Sequence, residues 1–274
     1  MNRPTEESAP AYIDTSKASI ARVYDYAIGG KDNYEIDREI VELVRKLAPE
    51  ASQAALDNRA FLIRVARYLA TRTPITQFLD CGSGLPTAEN THQVVQRLRP
   101  EAKVVYVDND PTVIAHGQAL LEDSERTIFS SADIRKPDAV LGDPATAAFL
   151  DLDQPVALFH VSTLHHFADS DEPARVMAEY IDRLPVGSAV VIAHFFDPEN
   201  EDTALARRLE EILSRSPMGS GYFRTLAQLE SFFAGLEMLE PGIVPCYRWW
   251  PDGPQLDPEQ PMQRCVAGGV GFKR

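Results

Sequence analysis

Three aspartates each follow a short apolar run, and their spacing suggests a binding site. Asp80 follows Phe78-Leu79, while Asp108 and Asp133 follow the runs 103–107 and 127–130. Such runs predict strands, and the carboxyl ends of parallel strands meet at the edge of a sheet where ligands bind. Taken singly, each acid is better explained as a helix N-cap or a solvated loop residue. Three acids after three successive strands instead favour a common ligand site.

The segment after Asp80 contains two closely spaced glycines, Gly82 and Gly84, with a helix-compatible stretch behind them. Three features argue against a dinucleotide ligand. Thr87 stands where the third glycine of the dinucleotide fingerprint would be, Pro86 has no N–H for a phosphate, and Asp80 would repel a pyrophosphate. The same carboxylate suits an ammonium or sulfonium group, as in S-adenosylmethionine. A nicotinamide oxidoreductase is therefore a distant alternative.

The other two strand ends fit an adenosine. Asp108, which Asn109 follows, can accept hydrogen bonds from both ribose hydroxyls. The Asp133 carboxylate can accept from the exocyclic amine of adenine, with Ile134 packing on the ring.

These segments resemble those of class I S-adenosylmethionine-dependent methyltransferases. More narrowly, the chain resembles a bacterial family labelled only S-adenosyl methyltransferase, formerly a domain of unknown function. The resemblance covers nearly the whole chain and is most specific in the N-terminal blocks 21–26 and 29–34, with further matches at 58–62 and 164–169. It implies that the methionine end of the cofactor is held by Asp80, Gly82, Ser83 and Gly84, the ribose by Asp108, and the adenine by Asp133 and Ile134. Pro86 departs from many class members, which have a third glycine there.

Candidate catalytic and substrate residues lie on both sides of the glycine turn. We assign His160, at the end of the fourth predicted strand, to cofactor binding, and His165 and His166 as candidate bases. Alternatively, one imidazole packs on the adenosyl group and another caps a backbone group. Arg59, next to Asn58, either reaches the methionine carboxylate or forms a surface salt bridge.

Aromatic and amide side chains could contact the methyl acceptor. Tyr24, Tyr26 and Asn33 either close over the substrate or pack between helices. Trp249 and Trp250 either line an acceptor pocket or plug the end of the sheet.

The periodicity predicts an α/β fold with a Rossmann-like, mostly parallel sheet. It has seven strands, including an antiparallel C-terminal pair, and helices on both faces. Three helices, ending at Gly29-Gly30, before Pro49 and before Pro74, form an N-terminal helical lid over residues 1–73. The first dozen residues are expected to be disordered. The Rossmann-like methyltransferase domain occupies residues 74–274, and Gly268-Gly269 suggests a bulge in its last strand.

Composition restricts the function. The net charge of −14 argues against a nucleic-acid partner, because clustered Lys and Arg dominate such binding. No apolar run is long enough for a transmembrane helix, and the N-terminus lacks the apolar core of a signal peptide. Three cysteines without metal-ligand spacing fit a reducing cytoplasm, so we expect a cytoplasmic protein without membrane or metal partners. We interpret Cys81, inside the turn, as structural.

Two functions remain open at this level. One is methyl transfer from S-adenosylmethionine to a small-molecule acceptor, in which the protein aligns the nucleophile, methyl carbon and sulfur. The other is a regulatory protein that binds S-adenosylmethionine or S-adenosylhomocysteine without turnover. The acceptor and the oligomeric state are not encoded in any recognisable pattern.

Overall fold

The computed structural model describes residues 13–86, 89–121, 125–256 and 258–274, so the terminus expected to be disordered and Thr87 lie outside it. Three helices come first: α1 (Ile20–Ala27), α2 (Glu35–Leu47) and α3 (Ala51–Arg72). They end close to the predicted glycine and proline signals. In the described part of the chain, no helix combines the length and apolarity needed to cross a membrane.

Strands and helices then alternate along the chain. The elements in order are β1 (Gln77–Cys81), α4 (Thr91–Leu98), β2 (Lys103–Val107), α5 (Pro111–Leu121), β3 (Thr127–Ser130), α6 (Pro137–Leu141), α7 (Pro144–Phe149), β4 (Val156–Val161), α8 (Pro173–Arg183), β5 (Ala189–Phe195), α9 (Thr203–Arg215), α10 (Leu226–Ser231), β6 (Glu237–Met238), β7 (Val244–Pro245), α11 (Pro261–Arg264) and β8 (Val266–Phe272). The three strands that precede the aspartates were all predicted within two residues of their bounds.

The sheet has the order β3-β2-β1-β4-β5-β8-β6, with β7 also paired to β8. Strands β1 to β5 run parallel and β8 runs antiparallel to β5. The mostly parallel architecture with an antiparallel C-terminal part is therefore confirmed. Eight strands are present among the described residues where seven were predicted, because two-residue strands β6 and β7 pair with opposite ends of β8. A strand of two residues is too short to show an alternation of apolar and polar residues in the sequence.

The glycines of β8 mark a close approach, and the predicted bulge is wrong. The register between β5 and β8 is unbroken from Ala189 opposite Phe272 to Phe195 opposite Val266. A Cβ atom at Gly268 would lie 2.8 Å from the Phe61 ring of α3. Glycine at this position therefore allows α3 to pack directly on the sheet.

Helices cover both faces of the sheet. Phe78 of β1 and Phe159 of β4 pack with Phe61 of α3 on one face. Leu79 and Leu158, their strand neighbours, pack with α8 on the other face. This alternation follows from the two-residue period of a strand, and it decides which strand-end side chains face the N-terminal helices.

The N-terminal helices are fixed to the sheet edge by a buried polar network. Asp37 at the start of α2 accepts from the Ser19 amide at 3.0 Å and from Arg22 Nε at 2.8 Å. Ser19 Oγ donates to Asp110 Oδ2 at 2.5 Å, and Arg22 Nη1 donates to Thr112 Oγ1 at 3.3 Å. The starts of α1 and α2 are thus bonded to the segment that follows β2.

The turn after β1 brings the ends of β1 and β2 together. Gly82 and Gly84 have positive φ angles of 72° and 65°. The amides of Gly82 and Ser83 donate to the Val107 carbonyl at 2.7 and 3.2 Å, and the Gly84 amide donates to Asp108 Oδ2 at 2.9 Å. Helix α4 begins only at Thr91, so Pro86 lies outside it, and the expected strand–turn–helix succession is interrupted by a longer connection.

Glycine in this turn can be required for its positive φ angle or for lack of space for a Cβ atom. The substitutions Gly82→Ala and Gly84→Ala separate these two reasons. A Cβ at Gly84 meets no atom within 4 Å, so only the positive φ opposes it, at a cost of about 1–2 kcal/mol. A Cβ at Gly82 would lie 2.2 Å from Thr163 Cγ2, which adds about 1–3 kcal/mol of overpacking. Urea denaturation should therefore show the larger loss of unfolding free energy for Gly82→Ala. Equal losses would contradict this packing.

Candidate functional site

One cavity of about 430 Å³ lies at the carboxyl edge of the parallel strands, beneath the N-terminal helices. Its volume falls within the range of about 300–1,000 Å³ typical of ligand pockets. The structure brings most of the predicted cofactor residues together in its wall, namely Arg59, Asp80, Gly82, Ser83, Gly84, Asp108, Asn109, Asp133 and Ile134. Residues 59 to 134 of the chain thus converge on one site.

Asp108 has the hydrogen-bonding capacity that a ribose requires. Its Oδ2 accepts from the Gly84 amide at 2.9 Å and its Oδ1 from the Asp110 amide at 3.0 Å. A carboxylate offers about four lone-pair sites, so further sites remain for two hydroxyl donors. Burial raises the pKa of the Asp108 carboxyl to about 6. The group therefore titrates just below neutral pH.

Asp80 lies deeper than Asp108, with 4% of its surface exposed. Its Oδ2 accepts from Thr91 Oγ1 at 2.6 Å. Burial raises its pKa, while the Thr91 hydroxyl and the Arg59 cation act in the opposite direction. Burial thus disfavours the charged form of Asp80, and Thr91 and Arg59 partly offset that effect.

The amides of the glycine turn explain why a pyrophosphate does not suit this site. Phosphates bind to free N–H groups at a turn or helix N-terminus. Here the amides of Gly82, Ser83 and Gly84 already donate to Val107 and Asp108. The prediction against a dinucleotide therefore gains a structural reason that does not depend on Thr87.

Arg59 provides a donor that none of the described residues uses. Its Nη2 donates to the Glu89 carbonyl at 2.5 Å, but its buried Nε has no hydrogen-bond partner in the described part of the chain. An unpartnered guanidinium N–H at a cavity wall fits a ligand carboxylate. The acids, Arg59 and the glycine turn together fit a molecule with an amino-acid end and an adenosine end.

Asp133 and Ile134 form the far end of the wall, and both side chains are half-buried. Asp133 Oδ1 accepts from the Arg135 amide at 3.0 Å, and the Ile134 carbonyl accepts from the Tyr180 hydroxyl at 3.0 Å. These bonds fix the loop after β3 and leave the Ile134 side chain available to pack on a ring.

His165 and His166 both line the cavity, as candidate bases must. The His165 ring stacks on Phe195, with centroids 3.7 Å apart, and His166 Nδ1 lies 2.8 Å from Ser220 Oγ. Burial lowers the pKa of His166 to about 3 and that of His165 well below its ordinary value. Both imidazoles are therefore uncharged at neutral pH and are weak proton acceptors.

His160 lies outside the cavity wall, contrary to its predicted cofactor role. The side chain is fully buried, its Nδ1 lies 3.2 Å from Thr163 Oγ1, and its ring contacts Tyr180 of α8 at 5.2 Å. The two-residue alternation of β4 explains the difference, because it directs His160 to the face opposite α3.

The predicted substrate residues are divided by the structure. Tyr24 lines the cavity, with Asn58, whose Nδ2 donates to the Tyr24 hydroxyl at 3.0 Å. Tyr26 instead donates to Glu42 on the exposed side of α2. Asn33 donates to Asp25 and to the Gly30 carbonyl, which stabilises the turn after α1. Tyr26 and Asn33 thus have the packing roles that the sequence left as alternatives.

The two tryptophans also lie outside the cavity wall. Trp249 is fully buried against Phe61, with ring centroids 5.4 Å apart, and Trp250 packs on Tyr68 at 4.8 Å. Arg64 donates to the Trp249 and Cys246 carbonyls and fixes this segment to α3. The tryptophans therefore pack against α3 and do not line an acceptor pocket in this cavity.

The surroundings of the three cysteines fit a structural role and not a nucleophilic one. All three, Cys81, Cys246 and Cys265, are free and buried, and burial raises the pKa of each thiol. Within the described residues, His, Cys, Asp and Glu side chains form no group that could hold a metal ion.

The sequence did not reveal the opposite wall of the cavity. Val44 of α2, Leu209 and Leu213 of α9, Met218 and Met262 all contribute to it. Helix α9 was not predicted, although Ala206, Leu209 and Leu213 follow helical spacing and are buried. That spacing was the available signal.

Comparisons with known proteins identify the family of this chain. A family model described as S-adenosyl methyltransferase matches residues 6–274, and no curated protein matches the chain. A crystal structure from Thermobifida fusca YX, with a provisional methyltransferase description, is 38% identical with a TM-score of 0.90 and covers 95% of this chain and 97% of that chain. A DUF574 family protein from Streptomyces avermitilis MA-4680 is 35% identical with a TM-score of 0.89, covering 95% and 99%.

The match spans both the N-terminal helices and the sheet, and the predicted class I methyltransferase fold is confirmed. The family description also identifies the cofactor as S-adenosylmethionine. The chain therefore belongs to the S-adenosyl methyltransferase family.

Proposed function

We propose that this protein transfers a methyl group from S-adenosylmethionine to a small-molecule acceptor. The observation that carries the proposal is the cavity in which Asp80, Asp108, Asp133 and the unpartnered Arg59 Nε converge beneath the N-terminal helices. Residues 1–73 act as a lid on the methyltransferase domain, residues 74–274.

Each part of the cofactor has a partner of suitable chemistry. Arg59 binds the methionine carboxylate, and Asp80 with Gly82, Ser83 and Gly84 surrounds the methionine end. Asp108, next to Asn109, accepts from the ribose hydroxyls, and Asp133 accepts from the adenine amine while Ile134 packs on the ring. This assignment uses the free acceptor capacity of Asp108 and satisfies the buried Arg59 Nε.

The protein contributes mainly by positioning. When bound, S-adenosylmethionine supplies an activated methyl group on a sulfonium. The protein must hold the acceptor nucleophile in line with that methyl, which contributes several kcal/mol, about 7–11 in the most favourable cases. His165 and His166 line the cavity and are the candidate bases of this proposal. Their lowered pKa values favour an acceptor whose nucleophile is already neutral and reactive.

The charge of the chain supports a small-molecule acceptor. A net charge of −14 opposes binding to a phosphate backbone. Three strand-end carboxylates in the cavity have the same effect locally. We therefore propose a cytoplasmic enzyme that methylates a small molecule and has no nucleic-acid or membrane partner.

A second candidate is a regulatory protein that binds the cofactor without turnover. The low pKa values of His165 and His166 favour it, because they leave the described cavity wall without an imidazole that titrates near neutral pH. Accumulation of S-adenosylhomocysteine in an acceptor screen would support the enzyme. Tight cofactor binding with no accumulation across chemically diverse acceptors would support the regulatory protein.

Calorimetric titration should show binding of S-adenosylmethionine and S-adenosylhomocysteine with dissociation constants on the order of 1 μM. Asp108→Ala should weaken both by about tenfold or more, because the ribose loses charge-assisted hydrogen bonds. NAD should not bind. Asp138→Ala, which removes an exposed acid on α6 outside the cavity, should change nothing. No binding of either sulfur compound would refute the cofactor site.

The affinity for S-adenosylhomocysteine should depend on pH through Asp108. Its pKa of about 6 means that the carboxyl is protonated in the free protein below pH 6. Because the ribose hydroxyls bind the ionised form, affinity should reach a plateau above pH 6 and fall below it, by no more in total than the factor that Asp108→Ala costs. Calorimetry on Asp108→Asn isolates this effect from that of Asp80. The same slope in the wild type and in Asp108→Asn would contradict the assignment.

A further inference from the structure

The cavity has two parts of different chemistry. The charged side chains in its wall are Arg59, Asp80, Asp108, Asp110, Asp133 and Arg135, which belong to the sheet edge and the facing position of α3. The wall contributed by α2, α9, α11 and β8 is apolar and consists of Ile40, Val41, Val44, Leu209, Leu213, Met262 and Val266. We call this second part the helical chamber.

Two neutral polar side chains, from α1 and α3, also contribute to the cavity wall. Tyr24 and Asn58 line the cavity, and the Tyr24 hydroxyl accepts from Asn58 Nδ2 at 3.0 Å and donates to the Ala55 carbonyl at 3.2 Å. Burial raises the pKa of Tyr24, which keeps the hydroxyl protonated. Asn58 Oδ1 is buried and has no hydrogen-bond partner in the described residues. The cavity wall therefore contains an unmet acceptor atom, Asn58 Oδ1, besides His165 Nδ1, which also lacks a partner among the described residues, and the chamber itself carries no charge.

Chemistry of this kind selects against charged ligands. An ionised group placed against Val44, Leu209 and Leu213 would lose its hydration without gaining a partner. An apolar group gains from the removal of its surface and of the wall from water. A ligand N–H or O–H would satisfy the buried Asn58 oxygen, whose lack of a partner is otherwise unfavourable.

Resting on the proposed function, we propose that the methyl acceptor is an uncharged, predominantly apolar small molecule with one N–H or O–H donor. It occupies the helical chamber, and α2 and α9 determine its specificity. The cofactor occupies the charged part of the same cavity, so the acceptor meets the methyl group where the two parts join.

The uncharged, apolar probe N-phenyl-1-naphthylamine, which has one N–H group, tests this directly. Its fluorescence should show saturable binding to protein already saturated with S-adenosylhomocysteine. Val44→Lys, which places a cation in the chamber wall, should weaken the probe by about tenfold or more. Leu43→Lys is the matched control, because Leu43 is 43% exposed on the same helix and outside the cavity wall. It should leave probe affinity unchanged.

Met218→Lys places the same charge in the wall from the segment after α9 and should weaken the probe in the same way. S-adenosylhomocysteine affinity, measured on each variant, reports whether the charged part of the site is intact. Absence of saturable probe binding to protein that binds S-adenosylhomocysteine would overturn the chamber assignment alone. So would probe affinity that both wall lysines leave unchanged. Probe binding by protein that cannot bind S-adenosylhomocysteine would instead overturn the proposed function, and with it the identification of the chamber ligand as a methyl acceptor.

Discussion

The closure of the β1 turn onto β2 is the constraint on which the site depends. The Gly82 amide bonds to the Val107 carbonyl, and the Gly84 amide bonds to the Asp108 carboxylate. The Gly82 bond continues the β1–β2 ladder beyond the Cys81–Val107 pair. Positive φ angles at the two glycines then permit the turn that brings the Gly84 amide to Asp108. The two bonds place Asp80 and Asp108 on the same cavity wall. The same bonds use the N–H groups that a phosphate would need. One turn therefore brings the two carboxylates together and leaves the amides of Gly82, Ser83 and Gly84 without a free N–H for a pyrophosphate.

The N-terminal helices are joined to the sheet edge through a second set of buried polar contacts. Arg22 and Asp37 are 4% and 0% exposed at their side chains, and Ser19 joins them to Asp110, two residues beyond Asp108. Breaking a buried ion pair by removing one partner typically costs about 3–5 kcal/mol, because the remaining charge stays buried and unpaired. The N-terminal helices are thus fixed beside Asp108 at the sheet edge.

Much of the fold and the charged half of the site could be predicted because both depend on strong local signals. An apolar run followed by an acid identifies a strand end, and Asp80, Asp108 and Asp133 all reached the cavity wall. His160 failed because the face to which a strand residue points depends on register against neighbouring strands. Tyr26 and Asn33 failed because helix rotation within the N-terminal section depends on packing between helices. The helical chamber was missed because α9 is distant in sequence from every motif, although its own apolar spacing was readable.

The charges around Asp80 are suited to the chemistry that we propose. A sulfonium bound beside an uncompensated buried carboxylate would be strongly stabilised before reaction, and that stabilisation would be lost as positive charge leaves the sulfur. Here the Asp80 carboxylate accepts from Thr91, and the Arg59 cation acts on it from the cavity wall. The net field at the methionine end is therefore weaker than a lone carboxylate would produce. In the proposed assignment, Asp108, Asp133 and Arg59 orient the cofactor while the reacting sulfur is only moderately stabilised, which would favour transfer over tight binding of the unreacted cofactor.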